Sequence, residues 1–208
     1  MNNYRTEQEQ FWAGQFGNDY VDRNQGPDVV ASNVALFCRI LKCTENVRSA
    51  IEFGANIGLN LEALRILKPG VSLSAIEINA KAVKSLERLG NIEIHAKSIL
   101  EFSPEAEHDL ALIKGVLIHI NPSHLPDVYG RLYRAARRYI CIAEYYNPTP
   151  VEVSYRGNRD RLFKRDFAGE MLDQFRDLRL VDYGFAYHRD PNFPQDDTTW
   201  FLLEKIAG

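Results

Sequence analysis

Apolar positions along the chain change period several times, and those changes divide it into elements. Phe11, Trp12, Phe16 and Tyr20 recur at helical spacing among acids and amides over residues 6–24, up to the break at Gly26-Pro27, which predicts an amphipathic arm. Val29, Val30, Val34, Leu36, Phe37, Ile40 and Leu41 then form a broad stripe, predicting a helix capped by Asp28 that runs to about Lys42 and packs on a sheet. From Ser49 the pattern alternates. SAIEF (49–53) reads as a strand ending at Gly54, Leu59 to Leu67 as a helix stopped by Lys68-Pro69-Gly70, and VSLSAIEI (71–78) as a second strand. AKAVKSLERL (80–89) is a helix ended by Gly90-Asn91, and IEIH (92–95) a third strand. Asp109 to Ile113, Pro122 to Arg137 and Tyr139 to Glu144 supply a fourth strand, a helix and a fifth strand.

Strands and helices in alternation mean a parallel sheet with helices on both faces and right-handed crossovers. The tail departs from this rhythm. LRLVDYGFAYH (178–188) and TWFLLEK (199–205) are joined by a polar, Pro-containing loop too short for a crossover helix, so the last strand is expected to run antiparallel to the rest. Residues 147–161 and 189–199, rich in turn formers and charge, read as loops. The expectation is an α/β fold with a mostly parallel, seven-stranded sheet.

Composition narrows the class. With 208 residues, 45% hydrophobic, the chain fits one domain spanning 1–208 that buries roughly 70% of its unfolded surface without a staple. A formal charge of -3 has the wrong sign for a general nucleic-acid binder. Cys38, Cys43 and Cys141 show no ligand spacing, and His95, His108, His119, His124 and His188 form no ligand pair with acids, so neither a disulfide framework nor a metal is expected. The amino terminus lacks a leader-like pattern, and the longest apolar runs fall short of the ~20 residues of a membrane span. A soluble, cytoplasmic protein acting on a small molecule is the expectation.

The chemistry concentrates in IEFGANIGLN (51–60), where the first strand hands over to a helix. In open α/β sheets ligands gather beyond the carboxyl ends of the strands, where glycines let backbone approach and a helix amino terminus offers free N–H groups. Here Gly54 and Gly58 frame Asn56 in an acid-x-G-x-x-x-G pattern, unlike the G-x-G-x-x-G of a pyrophosphate cradle. Glu77 ends the second strand, 19 residues after Gly58, the expected position for a carboxylate accepting from two ribose hydroxyls. Glu52, beside the glycine turn, repels a diphosphate but suits a cofactor carrying an amino group and a sulfonium. That points to S-adenosylmethionine.

Through IEFGANIG, AIEIN and HDLALIKGVLIHINP the sequence resembles the Rossmann-like class I methyltransferases over about residues 49–146. QFWAGQFGNDYVDRN, GVLIHINP and YRGNRDRLFKRDFAGEML resemble, more narrowly, the methylases associated with pseudaminic acid biosynthesis. The resemblance implies S-adenosylmethionine-dependent methyl transfer to an oxygen or nitrogen of a small, anionic, sugar-like acceptor of a nonulosonic acid pathway. It places the methionine end of the cofactor against Gly54, Ala55 and Asn56, the ribose and adenine at Glu77 and Ile78, and Ser98 and Ile99 at the adenine. Ser98 stands where this class often has an acid accepting from the adenine amino group.

Lys114 and Gly115, at the fourth strand's tip, are candidates for the cofactor's amino-acid end. His119 stands beyond that strand, either as general base or as an orienting group. Glu144 is a candidate to hold an acceptor amine, with Tyr146 at the same edge. The basic stretch YRGNRDRLFKRD within the inserted segment 147–166 offers Tyr155, Arg156, Arg161 and Lys164 to an anionic acceptor. The arm, residues 1–27, reads as a lid in which Trp12 and Tyr20 cover the site and Arg23 meets the cofactor carboxylate. Two rivals remain: a non-catalytic S-adenosylmethionine-binding regulator, and an NAD-dependent oxidoreductase or epimerase.

Overall fold

In the computed structural model, which describes residues 4–206, the parallel core is built from β1 (Ser49–Phe53), β2 (Ser72–Glu77), β3 (Ile92–Ala96), β4 (His108–Lys114) and β5 (Ala136–Glu144). The tail adds β8 (Leu178–Ala186) and β9 (Thr198–Lys205), giving a seven-stranded sheet of order β3-β2-β1-β4-β5-β9-β8. Only β9 runs against its neighbours, pairing antiparallel with both β5 and β8. The fold is the single-domain α/β architecture that the alternation implied.

Side-chain parity within the strands divides the core into two apolar layers. Ile51, Phe53, Ala111, Ile113, Ile140 and Ile142 point to one face, covered by α6 (Leu125–Ala135) and α7 (Phe167–Gln174). Ala50, Leu110, Leu112, Tyr139 and Cys141 point to the other, covered by α3 (Pro27–Leu41), α4 (Leu59–Leu67) and α5 (Ala80–Leu89). Because the central strands β1, β2 and β4 are covered on both faces, they read as near-continuous apolar runs, unlike the edge strand β3. The strand order reverses between β1 and β4, so the turns after them splay apart and open a crevice at the carboxyl ends.

Several sequence expectations are corrected. The arm is two helices, α1 (Glu7–Ala13) and α2 (Gln15–Arg23), separated by Gly14, where a Cβ would lie 2.9 Å from the Gln10 carbonyl oxygen. Asp28 does not cap α3: Gly26, at φ 122°, takes that position, Pro27 opens the helix, and Asp28 sits in the first turn, where its charge suits the helix dipole. The helix expected over 122–137 is shorter, because a single 3-10 turn (Pro122–His124) precedes α6 and the chain is already extended from Ala136. Segment 147–161 is not simply loop. It contains most of a hairpin of β6 (Val151–Tyr155) and β7 (Asn158–Lys164), turning through Arg156 and Gly157, both at positive φ.

Candidate functional site

The crevice between β1 and β4 is deepened by the arm into a cavity of about 590 Å³, within the range of small-molecule sites. Its floor is the turn after β1. Gly54, at φ 76°, lets its own N–H and that of Ala55 reach the Ile76 carbonyl oxygen at 2.8 and 3.1 Å, tying the turn to the neighbouring strand. Asn56 is also left-handed, φ 48°, and its N–H donates to Glu77 Oε2 at 2.7 Å. Glu77 Oε1 accepts the Asn79 N–H at 2.7 Å, so this carboxylate both supports the turn and lines the cavity. Burial raises the Glu77 carboxyl, against the pull of the Asn79, Asn56 and Ile78 N–H groups.

Ala55, Asn56, Ile78, Ser98, Ile99, Lys114 and Gly115 line the same cavity as Gly54 and Glu77. Gly58 and Glu52 lie behind it. Gly58, at φ 88°, starts α4 where a Cβ would meet the Leu89 and Leu86 methyl groups, and Glu52 is fully buried, accepting from Asn60 Nδ2 at 2.6 Å. Burial pushes the Glu52 carboxyl up to about 8, opposed by the Asn60 bond and the Lys114 ammonium. The Lys114 ammonium is in turn lowered by burial and held up by Glu52, Asp196 and Glu144.

At the other end stands His119, in a 3-10 turn (Leu117–His119) that follows β4. Its Nδ1–H donates to the Arg161 carbonyl oxygen of β7 at 2.5 Å, which fixes the tautomer and leaves Nε2 as the basic nitrogen. Burial holds the imidazole down at about 4, so it is neutral at ordinary pH. Trp12 lies 4.6 Å and Tyr155 5.0 Å from its ring, centroid to centroid. Tyr20 meets Trp12 edge-on at 5.3 Å, and burial pushes its hydroxyl up to about 12. Trp12, Tyr20 and His119 line the cavity; Tyr155 supports them from outside it.

Other sequence candidates are not brought to the cavity. Glu144 is 3% exposed and its Oε1 accepts the Val116 and Leu117 N–H groups at 2.9 Å, anchoring the turn that carries His119. Tyr146 is exposed and packs near Phe201, and Arg23 lies over the Phe16 ring. Of the basic stretch, Arg161 is held by Glu7 at 3.1 Å, while Arg156 and Lys164 lie over Tyr155 and Tyr145, so none lines the cavity. The cavity instead carries Glu9, Asp28, Glu77 and Asp196 against Lys97 and Lys114 among the described residues.

Sequence reasoning missed the first turns of α3, with Asp28, Val29, Ser32 and Asn33, and two further walls. One is the loop between β8 and β9, which contributes Asn192, Gln195 and Asp196 and is tied to α3 by Gln195 Nε2 donating to Asn33 Oδ1 at 3.0 Å. The other is Glu9 on α1, whose Oε1 accepts from the Ser98 hydroxyl. The only sequence signal for Glu9 was the capping box Thr6-x-x-Glu9, which predicts a helix start and no site. Among the described residues no cluster of His, Cys, Asp or Glu could hold a metal, and no helix is long and apolar enough to cross a membrane.

The buried acids give this site a pH signature. Burial raises Glu52 to about 8 and Glu144 to about 7, so the folded chain retains protons that the unfolded chain has released. Their contribution is complete below about 4.5, the usual carboxylate value, and is lost as pH rises through 7 and 8. His119, held neutral, acts oppositely, but only below 6.5. The melting temperature is therefore expected to fall between about pH 6.5 and 8.5, and Glu52→Gln to flatten that fall. A variant with an unaltered slope in a thermal-melt series would exclude Glu52 as its source.

No family model matches the chain, and no curated protein matches it by sequence. Solved structures match it along nearly its whole length. The 1,6-didemethyltoxoflavin-N1-methyltransferase of Burkholderia thailandensis, with 1,6-didemethyltoxoflavin and S-adenosylhomocysteine bound, superposes with TM-score 0.69 at 16% identity, covering 96% of this chain and 87% of that one. Magnesium protoporphyrin IX methyltransferase (ChlM) of Synechocystis PCC 6803, with S-adenosylmethionine bound, gives 0.67 at 13% identity, covering 99% and 100%. The plantazolicin methyltransferase BpumL, with S-adenosylhomocysteine and a desmethyl analogue, gives 0.67 at 12% identity, covering 96% and 95%. The fold is that of the Rossmann-like S-adenosylmethionine-dependent methyltransferases.

Proposed function

We propose that the protein transfers a methyl group from S-adenosylmethionine to an oxygen or nitrogen atom of a small acceptor. The observation that carries this reading is the pairing, in one cavity, of a glycine turn resting on a strand-tip carboxylate with a neutral histidine at the opposite end. Gly54, Ala55 and Asn56 would hold the methionine portion. Glu77 would take the ribose hydroxyls on the lone pairs its backbone partners leave free, and Ile78 and Ile99 would enclose the adenine. When bound, this cofactor supplies an electrophilic methyl on a sulfonium.

His119 Nε2 would accept the acceptor's proton as the new bond forms, the proton remaining on the imidazole until it exchanges with solvent. Trp12 and Tyr20 would exclude water and align the acceptor, which supplies much of the rate in a displacement of this kind. A dinucleotide fits less well. The turn after β1, with Gly54 and Gly58 framing Asn56, lacks the G-x-G-x-x-G spacing of a pyrophosphate cradle.

The finer reading, an anionic sugar-like acceptor in nonulosonic acid metabolism, rests on the sequence resemblance. Its geometric support is Lys97 and Lys114, set against four acids on the same cavity. The solved neighbours named above bind a toxoflavin precursor and a plantazolicin analogue, or are named for a porphyrin.

Calorimetry should give heat with S-adenosylhomocysteine and none with NAD. Incubation with S-adenosylmethionine and a panel of nonulosonic acids, nucleotide sugars, phenols and amines should yield S-adenosylhomocysteine with one class. His119→Asn should slow that turnover about 10²- to 10⁴-fold with S-adenosylhomocysteine affinity changed less than about threefold. Equal turnover in the variant would remove His119 from the chemistry. Binding without turnover across the panel would favour the regulatory alternative.

A further inference from the structure

Glu9 is an unusual residue to find where it is. It lies in the first turn of α1, 7% exposed, on the cavity wall, and among the described residues no lysine, arginine or histidine pairs with it. A buried acid is costly unless its lone pairs are met. A carboxylate offers about four acceptor positions. Oε2 takes the Thr6 N–H at 2.8 Å and the Thr6 hydroxyl at 3.2 Å, while Oε1 takes the Ser98 hydroxyl. One position is left over, on the oxygen beside Ser98.

Ser98 cannot serve a ligand as a donor there. Its single proton goes to Glu9, and its oxygen accepts the Leu100 N–H at 3.0 Å. Glu9 and Ser98 therefore present acceptors here, in a cavity also lined by the apolar Ile78 and Ile99. A group that fits is a flat ring carrying an amino group at its edge. We propose that Glu9 reads the base of the bound nucleoside, its Oε1 accepting from the 6-amino group of adenine. The inference rests on the reading of the cavity as an S-adenosylmethionine site.

The consequence reaches the other end of the cavity. Glu9 belongs to the arm that also carries Trp12 and Tyr20, and Asn79 Nδ2 fastens that arm by donating to the Trp12 carbonyl oxygen at 3.1 Å. A nucleoside held by Glu9 would add one more contact to an arm that already walls His119 through Trp12.

The test compares two ligands on one variant. S-inosylhomocysteine differs from S-adenosylhomocysteine in presenting a 6-oxo acceptor where adenine has an amino donor, and an N1–H donor where adenine has an acceptor nitrogen. Glutamine at the third helical position preserves the capping box, so Glu9→Gln keeps the helix start. With the Thr6 N–H holding the amide oxygen, the amide NH₂ faces Ser98 and the ring.

By calorimetry the unaltered protein should prefer the amino ligand about 10- to 100-fold. In Glu9→Gln that preference should fall below about threefold or invert. Ser98→Ala should retain it. If Glu9→Gln weakens both ligands equally and the ratio persists, Glu9 merely docks the arm and the proposal is overturned; loss of the ratio in Ser98→Ala but not in Glu9→Gln overturns it as well. Absence of heat with either ligand on the unaltered protein would instead overturn the cofactor reading beneath it.

Discussion

Removal of residues 1–24 is expected to raise the Kd for S-adenosylhomocysteine by about 100-fold or more while the remaining chain still melts cooperatively. The first half of that expectation follows from what the arm brings to the cavity: the Glu9 carboxylate and the Trp12 and Tyr20 rings, whose closure excludes water. One charge-assisted hydrogen bond plus part of an aromatic burial amounts to about 3 kcal/mol, which corresponds to that factor. The second half follows from the core. Neither apolar layer draws a residue from α1 or α2, so both remain complete without them. The arm is held outside those layers by polar fastenings, among them Arg5 to the Leu100 carbonyl at 3.0 Å, Gln8 to the Asp160 carbonyl at 2.9 Å and Asn79 to Trp12, together with Trp12 packed on His119 and the buried Val21. Calorimetry and a thermal melt on the shortened chain decide both halves. Unchanged affinity would mean that the arm is a bystander to binding, and a non-cooperative melt that it belongs to the core.

Gly54→Val should be the most damaging single substitution at the cavity floor. At φ 76° any Cβ is strained, a β-branched one most of all, and here it would lie 2.7 Å from Val116 Cγ2 and 3.2 Å from Cγ1. The backbone strain costs about 1–2 kcal/mol and the crowding about 1–3 more. For a chain of this size the sum lowers the melting temperature by roughly 5–15 °C. Relief would come by moving the turn, with its N–H bonds to Ile76, or by moving Val116, whose N–H is held by Glu144. Either movement disturbs the floor, so S-adenosylhomocysteine affinity should fall at least about 100-fold. Gly70→Val is the control: it has nearly the same φ, 87°, but nothing within 4 Å of the added Cβ. That variant should lose stability without losing affinity. Equal effects of the two substitutions on binding would show that crowding against Val116 is irrelevant.

How much could be read in advance depended on the range of the interactions concerned. The helices over 59–67 and 80–89 have the ends that the sequence suggested, because Gly58, Lys68-Pro69-Gly70, Asn79 and Gly90-Asn91 punctuate them locally. The hairpin of β6 and β7 escaped. Val151, Val153 and Tyr155 do alternate with Glu152 and Ser154, but residues 151–154 are exposed and the run is short and set among turn formers and charge, which read together as a loop. The five basic residues of that stretch promised an anion site. They turned instead to aromatic rings, acids and solvent, since charge alone says nothing about direction.

The amino-acid order by itself determined the alternation of strands and helices, the antiparallel final strand, and the glycine turn with its strand-tip acid, all of which depend on residues close together in the chain. Only the tertiary structure decided who meets across the cavity: Glu9 with Ser98, 89 residues apart, His119 with the Arg161 carbonyl, 42 apart, and Gln195 with Asn33, 162 apart. The reason is physical. Periodicity and capping record each residue's preference for its immediate surroundings, whereas a contact between distant segments is set by how the sheet order brings strand ends together, and no local pattern encodes it.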